Sequence, residues 1–441
     1  MVKNGASGTI GLFLAALALL GCTSNADERE AVGARNPAAY SGESWPQWGG
    51  LRGDFNVKAD GLAESWPVGG PPELWKRPLG DGFSGIVTDS GELFTAYRDG
   101  SDEVVVAMSA DEGQTIWEHR YPARARSGNV VQFGEGPNAT PLLLADRVVT
   151  LGYTGVLNCL SRKTGEVLWS YDLVDDLEGD VLDFGYAASP ILHDGNVIVL
   201  VGGKRHGVVA FDPSDGSIAW AGPPTSVSYA TPIVIDVGDQ VQLLYFSADE
   251  IIGLEADTGR KLWSFPVVNQ YRNNATGPLW GNDGLLWVAT QLDGGTRGLR
   301  LTHTGDETRV EKVWSNNKIS IHFWNALRIG DHIFASIGSN ASVFAAVDLR
   351  TGEILWRRRG FEQANLVHAG ERTILLDAKG HLALADLSAE GMTVRSEARI
   401  AEGPTWTVPT LSGTTLYVRD KQTIRALDLG AQPEASIQRE G

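Results

Sequence analysis

Short runs of apolar residues recur along the chain, and each run leads through a polar turn with a glycine to a tryptophan four positions later. The apolar runs include Val104–Val106 and Val208–Val209. The turn glycines are Gly113, Gly165, Gly216, Gly259 and Gly352, and the tryptophans are Trp117, Trp169, Trp220, Trp263 and Trp356. Glycine at these positions allows the positive φ that a tight reversal requires. The pattern therefore predicts a strand, a tight turn and a second strand.

A small residue stands six positions before each of these glycines. These residues are Ala107, Cys159, Ala210, Gly253 and Ala346. The position indicates a crowded place where a larger side chain would not fit, and the tryptophans are expected to cover apolar area between neighbouring units. The unit recurs about every 40 to 50 residues, which is typical of a β-propeller blade.

Eight such units can be counted, so we predict an all-β, eight-bladed β-propeller, with seven blades as the alternative. The inner strands are expected to begin near Phe83, Asn138, Ala187, Tyr229, Asn274, Trp324, Asn365 and Trp406. Blade five ends at Trp314 after an irregular turn, and blade seven lacks a tryptophan. The strand around Trp75 has no partner before it in the sequence, so we expect it to complete the last blade, residues 410–429, and close the ring.

The start of the chain predicts export. Residues 1–21 carry one cation, Lys3, and then an apolar run that is too short for a comfortable membrane span. Leu19–Cys22 resembles a bacterial lipobox, which implies lipid attachment to Cys22; the alternative is an ordinary signal peptide. Residues 22–43 are predicted to be a flexible tether, and residues 44–441 a single propeller domain. Thr23 favours delivery to the periplasmic face of the outer membrane, by the sorting rule of the lipoproteins that the sequence resembles.

Composition narrows the classes of partner. The net charge of −17 argues against nucleic acid and against binding an anionic membrane through a basic face. The chain has two cysteines, so a lipidated Cys22 would leave Cys159 without an intramolecular partner. The acidic stretch from Asp172 to Asp183 lacks the spacing of a calcium loop, and we predict no metal site.

The tandem Ala-x-Asp-x-x-Thr-Gly-x-x-x-Trp pattern resembles the pyrroloquinoline-quinone (PQQ) repeat superfamily. That superfamily includes quinoprotein alcohol dehydrogenases and the outer-membrane assembly lipoprotein BamB. Trp45–Trp48, Gly82–Ser84 and residues 133–141 also look like segments of PQQ-like propellers. The resemblance covers nearly everything after Trp45 and implies the fold strongly, but the fold hosts many functions.

Three functions remain open from the sequence. The first is a lipid-anchored, monomeric binding or scaffold propeller, BamB-like in architecture, with an envelope protein as its partner. The second is a PQQ-dependent dehydrogenase; the adjacent cysteines that the resemblance implies for methanol-dehydrogenase-type members are absent, and no calcium ligand set is recognisable. We therefore predict no cofactor and lean against an enzyme. The third function is binding of a small molecule or glycan at the central channel mouth.

Aromatic and amide side chains stand just before the predicted inner strands, at the expected channel mouth. They are Phe83, Asn138, Tyr186, Tyr229, Asn274, Trp324, Asn325, Asn365 and Trp406. Such side chains suit sugar-like or flat ligands, although asparagines also cap turns and aromatics also pack between blades. Basic residues of the same rim are Arg124, Arg126, Arg205, His206, Arg272 and His322. No catalytic constellation can be selected among the many polar residues. The repeat tryptophans Trp75, Trp117, Trp169, Trp220, Trp263, Trp314 and Trp356 are expected to be structural.

Overall fold

The computed structural model describes residues 40–281, 283–338 and 342–431, and the regular secondary structure of these residues is almost entirely β-strand. The predicted signal sequence, Cys22 and the predicted tether up to residue 39 lie outside the described residues. No helix in the described part has the length and hydropathy required to span a membrane. A short 3-10 helix, Leu292–Gly294, interrupts the strands.

Two early strands precede the first blade in the sequence. The strands that come after them form eight blades. The early strands are β1 (Asn56–Val57) and β2 (Glu73–Pro78). Blade 1 contains β3 (Val87–Asp89), β4 (Glu92–Asp99), β5 (Asp102–Ser109) and β6 (Thr115–Pro122); blade 2 contains β7 (Leu142–Leu143), β8 (Arg147–Leu151), β9 (Val156–Ser161) and β10 (Val167–Asp172). Blade 3 contains β11 (Ile191–His193), β12 (Asn196–Leu200), β13 (Val208–Phe211) and β14 (Ile218–Ala221); blade 4 contains β15 (Ile233–Val237), β16 (Gln240–Phe246), β17 (Glu250–Glu255) and β18 (Lys261–Pro266).

The second half of the ring continues the same antiparallel order from an inner to an outer strand. Blade 5 contains β19 (Leu279–Trp280), β20 (Leu285–Ala289), β21 (Thr296–Thr304) and β22 (Glu307–Asn316); blade 6 contains β23 (Leu327–Ile329), β24 (His332–Ile337), β25 (Val343–Asp348) and β26 (Ile354–Arg358). Blade 7 contains β27 (Asn365–Ala369), β28 (Arg372–Leu376), β29 (His381–Leu387) and β30 (Met392–Arg399); blade 8 contains β31 (Thr410–Ser412), β32 (Thr415–Arg419) and β33 (Thr423–Asp428). The eight-bladed prediction is confirmed.

The ring is closed by the early strand β2, as predicted. β2 pairs antiparallel with β33 and becomes the outer strand of blade 8, with Trp75 opposite Ala426. β1 adds a fifth strand to blade 7 by pairing parallel with β27. Strands from the start and the end of the propeller therefore share one sheet, which leaves no blade without its outer strand.

The repeat tryptophans link neighbouring blades in the way that the sequence indicates. Trp117 lies on Gly165 of the next blade, where a β-carbon would come within 2.5 Å of the indole. Its Nε1 donates a hydrogen bond of 2.9 Å to the carbonyl oxygen of Arg162 in the same turn. The five repeat glycines have φ between 67° and 77°. Within its own blade each tryptophan pairs with the small residue, as Trp263 does with Gly253, so the crowded position is explained.

The two irregular blades keep this contact by other means. Trp263 donates its Nε1 proton to Gln242 at 2.7 Å, and Gln242 in turn donates to Thr308 in blade 5 at 2.6 Å. In blade 7, Ser396 stands opposite Leu384, where the other blades place a tryptophan opposite a small residue. The buried Trp66 lies there instead and donates its backbone NH to Ser396 at 2.8 Å.

Candidate functional site

The channel mouth is formed by the loops that lead from each outer strand to the next inner strand. Seven of the eight inner strands begin three to five residues later than predicted, and β27 begins at Asn365 as predicted. The residues expected to start the strands therefore mostly lie in these loops. The correction follows from proline and glycine near the strand starts, for example Pro141 and Gly277, which delay regular strand pairing.

A belt of Ser, Thr and Asn hydrogen bonds joins all eight blades around this mouth. Ser84 donates to the carbonyl of Ala139 at 2.7 Å, and Thr407 of blade 8 donates to the carbonyl of Phe83 at 3.0 Å. The other six junctions use Thr140–Ser189, Ser189–Thr231, Ser228–Asn274, Thr276–Trp324, Asn325–Asn365 and Asn365–Trp406. Buried polar groups are thereby satisfied at the point where the inner strands converge.

The belt engages three of the four predicted amides. Asn274, Asn325 and Asn365 are each at most 5% exposed and hold neighbouring blades together. Asn138 is half-buried and donates to the carbonyl of Phe184 at a long 3.4 Å. These amides therefore orient the mouth loops, and Asn138 keeps the most exposure.

The predicted aromatics divide into a buried and a half-buried group. Tyr186 and Trp324 are 2% and 1% exposed, and their polar atoms donate to the backbone carbonyls of Val201 and Ser336, respectively. Phe83, Tyr229 and Trp406 are half-buried. Phe83 and Trp406 have ring centroids 4.8 Å apart. The structure thus brings a partly exposed aromatic pair together at the junction of blades 8 and 1.

Phe323 extends this aromatic pair and was not among the predicted residues. Its ring centroid lies 5.2 Å from that of Trp406 and 5.5 Å from that of Trp324. His322 beside it is partly buried, and burial lowers the pKa of its imidazole. The neighbouring Trp324 and Asn325 drew attention in the sequence, but nothing in the local pattern marks Phe323.

The segment 44–57, named here the channel segment, fills part of the central channel. Trp45 exchanges two backbone hydrogen bonds with Thr88 in blade 1, and Pro46 accepts one from Leu143 in blade 2. β1 at the end of the segment pairs with blade 7. The segment thus occupies the side of the channel next to blades 7, 1 and 2. The sequence prediction assigned these residues to the propeller but did not place them on its axis.

A cavity of about 60 Å³ remains on the other side of the channel. Blades 3 to 6 and the channel segment supply its walls, with Trp48, Phe55 and Phe323 as aromatic members. Trp48 and Phe55 meet edge to face at 5.2 Å between ring centroids. A space of this size has room for a few water molecules.

Three of the six basic residues of the rim pair with carboxylates. Arg126 contacts Asp172 and, at 3.3 Å, Asp175. The Nε of Arg272 lies 2.9 Å from Asp249, and Arg205 lies 3.4 Å from Glu178. These three arginines are therefore members of ion pairs rather than parts of a free positive surface.

A buried ion pair anchors the loop between blades 1 and 2. Arg98 contacts the buried Glu103 at 3.1 Å and donates to the carbonyls of Ala123 and Glu135, which lie near the two ends of the loop. Burial raises the pKa of Glu103, while hydrogen bonds from Tyr121 and the Tyr153 backbone NH oppose that shift. The loop is thus fixed at both ends while its middle reaches solvent.

Apolar side chains from three successive loops form an exposed surface, named here the loop ridge. It consists of Val131, Phe133, Val181, Phe184 and Tyr229. Val131, Phe133 and Val181 are 46%, 53% and 39% exposed. Phe184 has its ring centroid 6.0 Å from that of Phe133 and 5.9 Å from that of Tyr229. The loops are joined by a hydrogen bond of 2.7 Å from Asn129 to the carbonyl of Leu182, so the ridge is held in place.

The channel offers few groups that could hold a quinone and its metal. Among the described residues no three His, Cys, Asp or Glu side chains lie close enough together to hold a metal ion. The axial cavity, with room for a few water molecules, is bordered by the channel segment. Cys159 is buried, and burial raises the pKa of its thiol to about 12, which makes it inert at neutral pH.

Curated relatives include both propeller groups that the repeat resembles. The outer membrane protein assembly factor BamB of Yersinia pestis is 24% identical over 80% of this chain and 77% of its own length. BamB of Escherichia coli is 28% identical over 27% of each chain. The quinoprotein alcohol dehydrogenase PedH of Pseudomonas putida is 30% identical, but over only 29% of this chain and 21% of its own length.

Solved structures share the fold. BamB from Moraxella catarrhalis has a TM-score of 0.56 and 19% identity, covering 81% of this chain and 97% of its own. The quinohemoprotein alcohol dehydrogenase ADHIIG from Pseudomonas putida has a TM-score of 0.60 and 13% identity, covering 90% and 82%. The family model described as outer membrane protein assembly factor BamB matches residues 101–357, which is more than half of the sequence. The chain therefore belongs to the BamB family of PQQ-like β-propellers.

Proposed function

We propose that this protein is a lipid-anchored scaffold at the periplasmic face of the outer membrane, and that its loop ridge binds a protein of the machinery that assembles outer membrane proteins. The loop ridge is the observation that carries this proposal. Exposed aromatic and aliphatic side chains that lie together on a surface are typical of protein-binding sites. The relatives named as assembly factors support the choice of partner.

Rigidity of the ridge favours this role. Arg98 fixes the loop between blades 1 and 2, and Asn129 joins that loop to the next one. A surface that is ordered before binding loses little conformational entropy when a partner docks. The ridge is also surrounded by exposed acidic residues such as Asp175 and Asp183, which suits a partner with basic residues around an apolar contact.

The anchor part of the proposal rests on Cys22 and the tether. A tether of about twenty residues that is flexible, as predicted from the sequence, would have a root-mean-square reach of roughly 25 Å, which would let the domain lie clear of the membrane surface. A Cys22→Ser variant is expected to lose membrane association, as measured by fractionation. Recovery of that variant with the membranes after a salt wash would contradict the anchor.

The partner-binding role is tested by complementation of a deletion strain. The strain is expected to contain less β-barrel protein in its outer membrane. Wild type and Tyr271→Asp should restore those levels, whereas Phe133→Asp should not. Tyr271 is a matched control because it is also an exposed loop aromatic, 57% exposed, but lies outside the ridge. Normal barrel levels in the deletion strain, or full restoration by Phe133→Asp, would contradict the proposal.

We further propose that the protein performs no PQQ-dependent oxidation. The absence of adjacent cysteines in the sequence and the short dehydrogenase alignments support this view. The protein is incubated with PQQ and calcium, and dye reduction is followed with several alcohols and sugars. Clear turnover would favour the dehydrogenase alternative instead.

A further inference from the structure

We propose that the axial cavity is a binding site for small organic carboxylates, in which Arg52 binds the carboxylate and the aromatic walls contact its apolar part. This site is separate from the loop ridge and does not depend on the scaffold role. Its chemistry follows from the charge, the open hydrogen-bonding capacity and the shape of the side chains around the cavity.

Charge selects an anion. Arg52 is the one charged side chain among the described residues that line the cavity, although the whole chain carries a net charge of −17. Its carboxylate neighbour Asp54 is not part of the lining. Arg52 is 39% exposed and forms an ion pair with Asp54 through its Nε at 3.0 Å. An anionic ligand in the cavity can therefore contact the rest of the guanidinium, whereas a cationic ligand meets no carboxylate among the described residues of the lining.

Arg52 retains hydrogen-bonding capacity toward a ligand. Its Nε donates to Asp54 at 3.0 Å and its Nη2 donates to the carbonyl of Asn56 at 3.3 Å. Its Nη1 makes no hydrogen bond to the described part of the protein. These two contacts hold the guanidinium, and the remaining N–H groups have the planar geometry that matches a carboxylate. Gln47, which is 5% exposed, adds an amide to the same wall.

Shape selects a small ligand with an apolar part. Trp48, Phe55, Phe323 and Trp324 are the aromatic residues of the described lining, and aliphatic residues and prolines, among them Pro232 and Pro278, supply the rest of the apolar wall. Small residues in blades 5 and 6 leave the space open: Ala275, Gly277 and Ala326. A β-carbon on Gly277 would meet no atom within 4 Å, so this position borders empty space. The volume of about 60 Å³ limits the buried part of a ligand to a few heavy atoms.

Binding is measured by titration calorimetry and ligand-observed NMR with propionate and benzoate. Propionamide and benzamide serve as uncharged probes of almost the same shape. We expect saturable binding of one or both carboxylates and at least about tenfold weaker binding of the matching amide, because an ionised hydrogen bond to Arg52 is lost.

Two variants test the two halves of the site. Arg52→Gln should weaken carboxylate binding at least about tenfold and remove the preference over the amide. Gly277→Leu should block the cavity and abolish binding of both probes. Neither position is tightly packed, and melting curves verify that the variants are folded.

Matched controls share the local features of the variants away from the cavity. Arg260→Gln removes an exposed arginine that also pairs with a nearby carboxylate, Glu255. Gly391→Leu alters a surface-turn glycine whose β-carbon would also meet nothing. Both controls should bind like wild type. The proposal is overturned if neither carboxylate binds saturably, if the amides bind equally well, or if folded Arg52→Gln or Gly277→Leu binds unchanged.

Discussion

Trp169 packs its indole ring on Gly216 of the next blade and donates its Nε1 proton to the carbonyl of Pro213, so one side chain serves two blades. Its replacement by alanine leaves a cavity between the blades. We expect Trp169→Ala to lower the free energy of unfolding by roughly 3–5 kcal/mol, as measured by chemical denaturation. A loss below about 1 kcal/mol would show that the contact does not support the junction.

The mouth tryptophans are expected to differ from each other. Trp324 is 1% exposed and its Nε1 donates to the carbonyl of Ser336, whereas Trp406 is half-buried and packs against Phe83 in a tilted arrangement. Trp324→Ala should therefore destabilise the fold about as much as Trp169→Ala, and Trp406→Ala should cost clearly less. Equal melting temperatures of the two variants would contradict this distinction.

Asp89 couples the channel segment to blades 1 and 2. Burial raises the pKa of its carboxyl, but hydrogen bonds from Ser44, Arg162 and Ser90 outweigh that effect and hold the pKa below its ordinary value. A lowered carboxyl pKa means that the stabilisation is complete above the unfolded pKa of about 3.9 and is lost as the pH falls through the folded pKa.

The difference in unfolding free energy between wild type and Asp89→Asn should therefore be larger at pH 7 than at pH 3. Denaturation curves at both pH values measure it, with the exposed Asp111→Asn as the control. A difference that does not shrink in acid would rule out this role for the charge.

At the residue scale, the sequence could identify polar and aromatic side chains at the mouth but not their partners. Asn325 and Asn365 look like ligand-binding amides in the sequence, yet they bond to each other across a blade junction. Their separation of 40 positions is set by the blade repeat, and no local signal distinguishes a belt residue from a free one. The turn glycines and tryptophans were predictable because their roles are local and repeated.

At the element scale, blade 7 depends on a residue that lies far away in sequence. Trp66 covers the place next to Ser396 where the repeat tryptophan is missing. We expect Trp66→Ala to lower the free energy of unfolding by roughly 3 kcal/mol or more, although the residue lies outside every repeat. The exposed Val68→Ala, two positions away, should have almost no effect. Similar denaturation midpoints for the two variants would contradict this account.

Strands were predictable where the repeat is regular and less so where it is degraded. The irregular turn of blade 5 correctly suggested that this blade departs from the regular repeat. Its outer strands β21 and β22 form a longer hairpin than the corresponding strands of the other blades. The hydrogen bonds that connect Trp263 through Gln242 to Thr308 could not be predicted from the sequence. Their prediction requires knowledge of which side chains face each other between two sheets.

At the scale of the whole molecule, Arg419 fastens blade 8 to blade 1. It is 1% exposed and donates to the carbonyls of Gly80, Ser84 and Ala96. Burial lowers the pKa of its guanidinium to about 10, so it stays charged at neutral pH. Arg419→Met would remove this donor from all three carbonyls, of which that of Ser84 also accepts a hydrogen bond from Thr95.

We expect Arg419→Met to destabilise the ring by at least about 3 kcal/mol. Chemical denaturation checks this value, and the exposed Arg260→Met provides the control. Unchanged stability would indicate that water replaces the guanidinium without loss.

Removal of residues 45–77 should weaken the entire domain, because this stretch supplies both the channel segment and the outer strand of blade 8. Removal of residues 23–43 from the tether should leave the melting temperature nearly unchanged. Calorimetry compares the two deletions, and equal melting temperatures would contradict the closure. The sequence predicted this closure from the unpaired Trp75 strand. The position of the channel segment could not be predicted, because the segment has no repeat pattern.

The pairing of β2 with β33 also has a consequence for the newly synthesised chain. The sheet that contains β2 can form only after the last blade has been synthesised, because the partner strand β33 lies more than 340 positions later in the sequence. Until then Trp45, Trp48 and Phe55 have no complete channel around them, and such contacts between distant parts of a chain form late. A polypeptide that is synthesised from its amino end therefore exposes these apolar residues before the sheet that covers them can form, and chaperones would be most valuable during that interval.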